Sequence, residues 1–326
     1  LELPIMEIII VVLLIAALVL YHKPATINMI TAVLENFHMK WDARSYMLSY
    51  AKVLPMIGMF FLVSACTGST FKMATPEGLY DAGVKHLNKE EYGKALALFE
   101  KAVKAGSADA MSDIGWMYQH GKGVKPDFQK AMYWYERAVK GGSMAAMSNI
   151  GYLFDEGLGV EEDNDVAMRW YLKSAKAGND AAANNAGWMY QHGEGVGQDY
   201  EKALMWYKKA ANAGNSYAMN NMAWMYEKGQ GVDVDFEKAM EWYTKAADGG
   251  NMEAVNNIGW MYEQGEGVPQ DYDKALVWYN KAAAGGNTSA MENIARLYEE
   301  GLGVEKDEEK AAEWFEQAEK ASKQSE

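Results

Sequence analysis

The chain has 326 residues, 49% hydrophobic and 23% charged, a balance that excludes an intrinsically disordered polymer. Its formal net charge of −14 argues against nucleic acid as a partner, because phosphate binding needs Lys and Arg to displace counterions. A single cysteine excludes an internal disulfide and argues against a Cys-rich zinc site.

In chain order, residues 1–46 stand apart. Leu1 is an unusual first residue, and Ile8–Leu20 is an unbroken apolar run of 13 residues. A membrane span needs about 20, and extending the run through Ile5 and Met6 takes in Glu7. Two readings stay open: a membrane anchor, or a segment upstream of the translational start. Residues 47–65 read as a secretory signal. Lys40, Arg44 and Lys52 precede the apolar stretch Val53–Ala65, which ends in small residues. Leu62-Val63-Ser64-Ala65-Cys66 resembles a bacterial lipobox, with Cys66 as the lipidated residue and Met39 or Met47 as the start. The alternative is a buried thiol. Thr67 after the cysteine points to an outer-membrane lipoprotein facing the periplasm, with inner-membrane anchoring as the alternative. Three acyl chains suffice for stable anchoring where one does not. Residues 66–76 read as a tether, and Pro76 opens the first helix. Residues 1–66 hold four acidic and four basic side chains, so the charge of −14 falls on residues 67–326. Membrane contact is therefore expected only through the N-terminus.

Residues 77–106 form a degenerate opening repeat that turns through Asn88-Lys89-Glu90-Glu91. From Ser107 to Ser322 one unit of 36 residues then recurs six times without insertion, marked by Gly121-Lys122-Gly123-Val124 and its equivalents. A fixed period of this size is the signature of a solenoid. Ala110, Ile114 and Tyr118 share one face of a first helix. Gly115 recurs as Gly151, Gly187 and Gly259, with Ala223 and Ala295 in the other copies; a repeated small residue predicts a close helix approach. Gly-x-Gly ends the first helix, and Asp127, Asp163, Asp199, Asp235, Asp271 and Asp307 are N-cap candidates for the second. The second-helix tryptophans Trp134, Trp170, Trp206, Trp242, Trp278 and Trp314 are expected to fill the core. The helix after Glu305 is expected to cap the stack, leaving 323–326 as a tail.

These residues resemble the Sel-1-like repeat family, a branch of the tetratricopeptide superfamily. Ala110, Gly115, Tyr118, Gly121-x-Gly123-Val124, Asp127, Ala131 and Trp134-Tyr135 carry the resemblance. It implies an all-α, right-handed α/α solenoid, monomeric, whose first helices line a concave surface. The exposed rung there would be Asp109, Ser112, Trp116 and Gln119. Carried along the array, it gives an aromatic row of Trp116, Tyr152, Trp188, Trp224 and Trp260, ended by Arg296. Asn184, Asn220 and Asn256 flank it on one side, Gln119 and Gln191 on the other. Such a groove suits a peptide segment or a partner helix, or else a glycan ring. The tryptophans filling the core is the competing reading. A second series, Asn149, Asn185, Asn221, Asn257 and Asn293, is expected to hydrogen-bond backbone between repeats.

No catalytic constellation can be nominated by spacing, and no cofactor is implied. His120 and His192 share a repeat position but lack further ligands, so exposed histidine outweighs a metal site. Gly-x-Gly follows a helix rather than a strand, which rules for structure over phosphate binding. The resemblance implies a non-catalytic scaffold or adaptor of the cell envelope. An immunity protein neutralising a secreted toxic effector is the alternative. A weak β-lactamase-like hydrolase is the lesser one, since relatives described that way carry paired cysteines that this array lacks.

Overall fold

The computed structural model describes residues 75–325, which lie within one compact unit, Lys72–Glu326. The apolar run 8–20, the signal 47–65, Cys66 and most of the tether lie outside the described residues. Every described regular element is a helix. They are α1 (Pro76–Leu87), α2 (Tyr92–Lys104), α3 (Ala108–His120), α4 (Phe128–Lys140), α5 (Met144–Asp155), α6 (Asn164–Ala177) and α7 (Asp180–His192). They continue as α8 (Tyr200–Asn212), α9 (Ser216–Lys228), α10 (Phe236–Asp248), α11 (Met252–Gln264), α12 (Tyr272–Ala284), α13 (Thr288–Glu300) and α14 (Glu308–Ser325). Each odd helix packs most closely on the even helix after it, and each pair packs on the next.

Local chemistry sets the boundaries. Thr75 caps α1 by accepting from the Gly78 amide at 3.0 Å, with Pro76 in the first turn. The aspartate before each later second helix accepts from the amide three residues on, as Asp127 does from Lys130 at 3.0 Å. First helices carry their own caps: Ser107, Ser143, Asn179, Asn215, Asn251 and Asn287. Each holds an amide that the helix leaves unpaired.

Gly-x-Gly does more than stop a helix. Gly121 takes φ 64°, the left-handed C-cap, and Gly123 follows at φ 74°. A Cβ on Gly123 would sit 2.5 Å from the Cβ of Tyr92, the first residue of the preceding second helix. The loop therefore spans two repeats at a distance only glycine permits. The shorter opening turn solves the same problem without glycine, placing Glu90 at φ 59°.

The core is a file of alanines and tyrosines. Ala110, Ala131, Ala138 and their equivalents are fully buried, as are Tyr135, Tyr171, Tyr207, Tyr243 and Tyr279. The second-helix tryptophans do not fill this core as expected. Only Trp206 is buried; the others lie at its edge. Each of the first five takes a cation over its ring, as Lys245 sits 4.2 Å from the Trp242 centroid and Lys281 4.8 Å from Trp278. Indole amphipathicity suits that half-wet position.

Candidate functional surface

The helix pair is built around the tyrosine. A Cβ on Gly115 would lie 2.6 Å from the Tyr135 ring, so the close approach marked by the small residue is that of its own second helix. The phenol then needs an acceptor, because a buried hydroxyl without one costs on the order of 1–3 kcal/mol. Tyr135 donates to Gln119 at 2.6 Å and Tyr207 to Gln191 at 2.7 Å. Tyr171 donates to Asp155 at 3.1 Å, Tyr243 to Glu227 at 2.7 Å and Tyr279 to Glu263 at 2.8 Å. Burial raises every one of these phenols above the usual tyrosine range.

Gln119 and Gln191 are consequently not flanking groups on an open groove. Both are buried inside the helix pair, held there by a tyrosine that the sequence reading placed no partner against. A signal for this exists within the chain. The sixth copy replaces the tyrosine with Phe315, and the residue at the acceptor position, Glu299, is exposed.

The asparagines are also committed to one another. Asn221 donates to Asn184 at 3.0 Å, Asn257 to Asn220 at 3.1 Å and Asn293 to Asn256 at 3.0 Å. In the later copies the two asparagine series expected to act separately are thus the two halves of one inter-repeat ladder, side chain to side chain rather than side chain to backbone, while Asn149 and Asn185 meet Tyr135 and Tyr171. Asn220 and Asn256 are buried by it. In the first copy Asp113 holds the place of the donor and faces Tyr80. Burial lifts its carboxyl to about 6, against the opposing hydrogen bond from Tyr80, with Asp109 adding a repulsion.

What remains at the surface is the aromatic row. Tyr152 and Trp188 are 39% exposed and Trp260 is 37% exposed, while Trp116 and Trp224 are partly covered. Two rungs are roofed by their own helices. His120 stacks on Trp116 at 4.6 Å and His192 on Trp188 at 4.2 Å between ring centroids. Each of these histidines also places Nδ1 within 3.0 Å of that tryptophan's carbonyl oxygen. Among the described residues no group of three or more His, Cys, Asp or Glu is arranged to hold a metal.

The row opens into a depression of about 300 Å³ between the fourth and fifth copies. Trp224 and Trp260 line it, with Glu227, Lys228, Tyr243, Asn256, Asn257 and Asn293. Glu227 is buried and also meets Lys228 at 2.5 Å. One copy further on, Arg296 stands where the tryptophan would be. Its Nη2 donates to both oxygens of Glu263 at 2.8 Å.

A family model described as Sel1 repeat matches residues 73–107, 108–143, 145–179, 180–215, 216–251, 253–287 and 288–322, taking in the opening pair as well as the six later copies. Among solved structures, a Sel1 repeat protein from Oxalobacter formigenes is 34% identical with a TM-score of 0.68, covering 74% of this chain and 99% of that one. The protein c5321, a protective antigen present in uropathogenic Escherichia coli strains and displaying an SLR fold, is 30% identical with a TM-score of 0.61. That match covers 77% of this chain and 55% of the antigen. A stretch of 58 residues is 40% identical to the ERAD-associated E3 ubiquitin-protein ligase component HRD3 of Candida glabrata. It covers 18% of this chain and spans 7% of that curated relative.

Proposed function

We propose, from the premise that this chain belongs to the Sel1 repeat family, that it works by docking a protein partner rather than by catalysis. The aromatic row on the first helices is the docking face. One observation carries the reading: Tyr152, Trp188 and Trp260 keep 37–39% of their surface exposed at one repeat position, while the polar groups beside them are buried or half-buried and paired within the array. Aromatic rings in a surface row are what interface cores are made from, and a well-seated tryptophan anchor is worth about 2 kcal/mol or more. The partner on this reading is a peptide segment or a helix. The lipobox-like Leu62–Cys66 supports a tether in a bacterial envelope, which places the partner there too.

Affinity capture from envelope extract tests this, with the full chain in mild detergent as bait. A second bait carries Trp188→Ala and Trp260→Ala, with circular dichroism confirming retained helicity. The expected result is one protein held by the wild type and lost by the folded double variant. Equal retention on both baits would move the docking face elsewhere. Turnover of a substrate by the purified chain without any partner would overturn the non-catalytic reading.

A further inference from the structure

We infer that the depression between Trp224 and Trp260 is a pocket for a guanidinium group, and that the partner segment inserts an arginine there to pair with Glu227. This rests on the reading of the aromatic row as a docking face and says what chemistry that face selects.

The array supplies its own precedent. Arg296 lies 33 residues after Glu263, and its guanidinium meets both oxygens of that buried carboxylate. Trp260 lies at the same offset from Glu227, and an indole cannot donate in that way. Glu227 and Glu263 share their burial and a tyrosine hydroxyl from the paired helix, and differ in the next residue, Lys228 pairing with the first and Gln264 donating to the second. The fifth copy fills its carboxylate site from within. The fourth leaves a depression lined by Glu227, its partner Lys228 and two tryptophans. Arginine suits such walls, because its planar, weakly hydrated cation stacks on aromatic faces while its edge donates to a carboxylate.

Charge points the same way. In the third copy Gln191 donates to Gln230 of the next Gly-x-Gly loop at 3.0 Å. The equivalent pair one repeat on is Glu227 and Glu266, so an amide pair is replaced by two carboxylates. Glu266 has a buried oxygen, Oε2, without a hydrogen-bond partner. Its carboxyl is raised by burial and then by the neighbouring Glu227, with Lys228 pulling the other way. Two carboxylates against the single ammonium of Lys228 leave one negative charge for a ligand cation to meet. Lys228 is itself 45% exposed, on a flexible stem, so it can swing aside.

The test uses the full chain in detergent micelles and Nα-acetyl-arginine amide as probe, read through the indole N–H signals of Trp224 and Trp260 by NMR. Citrulline amide, a neutral isostere, is the control. We expect saturable shifts with the arginine probe and none with citrulline. Two variants should weaken the arginine response about tenfold or more. Glu227→Gln removes the charge, and the fold tolerates it, since Gln119 and Gln191 serve the same tyrosine contact natively. Trp260→Arg should plug the pocket from within, as Arg296 does one copy on. Equal shifts from citrulline, or an arginine response undiminished in Glu227→Gln, would overturn the inference. So would calcium or magnesium shifting these signals in place of the arginine probe. A flat arginine titration alongside partner capture that depends on Trp188 and Trp260 would sink the guanidinium pocket and leave the docking face standing. A saturable arginine response with capture unaffected by those tryptophans would do the reverse.

Discussion

Nη2 of Arg296 lies 2.8 Å from each carboxylate oxygen of Glu263, one repeat earlier in the chain. The contact closes the array's last inter-repeat seam over a buried acid. Arg296→Ala leaves that acid with only the neutral donors Tyr279 and Gln264 and no cation. The cost is expected at about 2–3 kcal/mol, most of it the penalty of an unpaired buried charge. Repeat arrays unfold in parts, so the loss should be local. Hydrogen exchange should quicken in α13 and α14 while α3 to α8 keep their protection. Uniform quickening along the array would contradict this.

Tyr207 should show how much the internal hydroxyl matters. Tyr207→Phe keeps the ring against Gly187 but strips Gln191 of its donor. An expected loss of about 1–3 kcal/mol follows from leaving a buried acceptor unpaired. Tyr207→Ala also opens a cavity and should cost about 3–5 kcal/mol. Urea unfolding of both variants gives the difference between them, which measures the packing separately from the hydrogen bond.

Gly187 sits where a Cβ would meet the Tyr207 ring at 2.7 Å. The fourth copy nevertheless carries Ala223 opposite Tyr243, so a small shift of the pair accommodates one methyl. Gly187→Ala should therefore change stability by no more than about 1 kcal/mol, as the better helix propensity of alanine offsets the strain. Gly187→Val adds branches that the ring cannot yield to and should cost about 3 kcal/mol or more. Thermal melts that rank the two variants equally would refute the close-packed geometry.

Asp113 makes stability depend on pH. Its carboxyl is raised to about 6 in the folded protein, from an ordinary 3.8, so the folded state holds the proton more tightly than the unfolded chain. Stability is then greatest below pH 4 as far as this group is concerned, and falls as pH rises from about 4 through 6. Asp113→Asn installs the amide that the other copies carry at this place and keeps an acceptor for Tyr80. The variant should be more stable than wild type at pH 7.5, by on the order of 1–2 kcal/mol, and indistinguishable from it near pH 4. Denaturant midpoints at the two pH values decide it; a gain of equal size at both would remove the titration as its cause.

Much of this was legible in the residues. The Gly-x-Gly spacing, the small residue of the first helix and the aspartate before the second are local signals. The caps act through backbone geometry within a few residues, and the small residues keep clear the contacts with Tyr135 and Tyr92 that the structure shows. The repeat period gives Trp116 and its equivalents one common position, and there the structure leaves Tyr152, Trp188 and Trp260 exposed and partly covers Trp116 and Trp224. The flanks of the aromatic row were not legible. Gln119 and Asn220 sit at spacings that suit an exposed rung, yet the first is claimed by Tyr135 and the second by Asn257. Those partners lie 16 and 37 residues away, and no helical period reports on them.

Trp134 and Tyr135 show the division most directly. The sequence by itself determined that a large aromatic pair recurs every 36 residues and that the chain stacks as paired helices. It did not determine which of two adjacent rings points inward. That was decided by the crossing of the two helices, which sets Gly115 and Gln119 opposite the tyrosine. The ring fits against the missing Cβ and the hydroxyl reaches the amide, leaving the indole at the edge under Arg137. Tertiary structure likewise decided that both acids are buried, Glu263 against Arg296 and Glu227 against Lys228 beside a depression. One substitution in the aromatic row, arginine for tryptophan, closes the first site and leaves the depression beside the second.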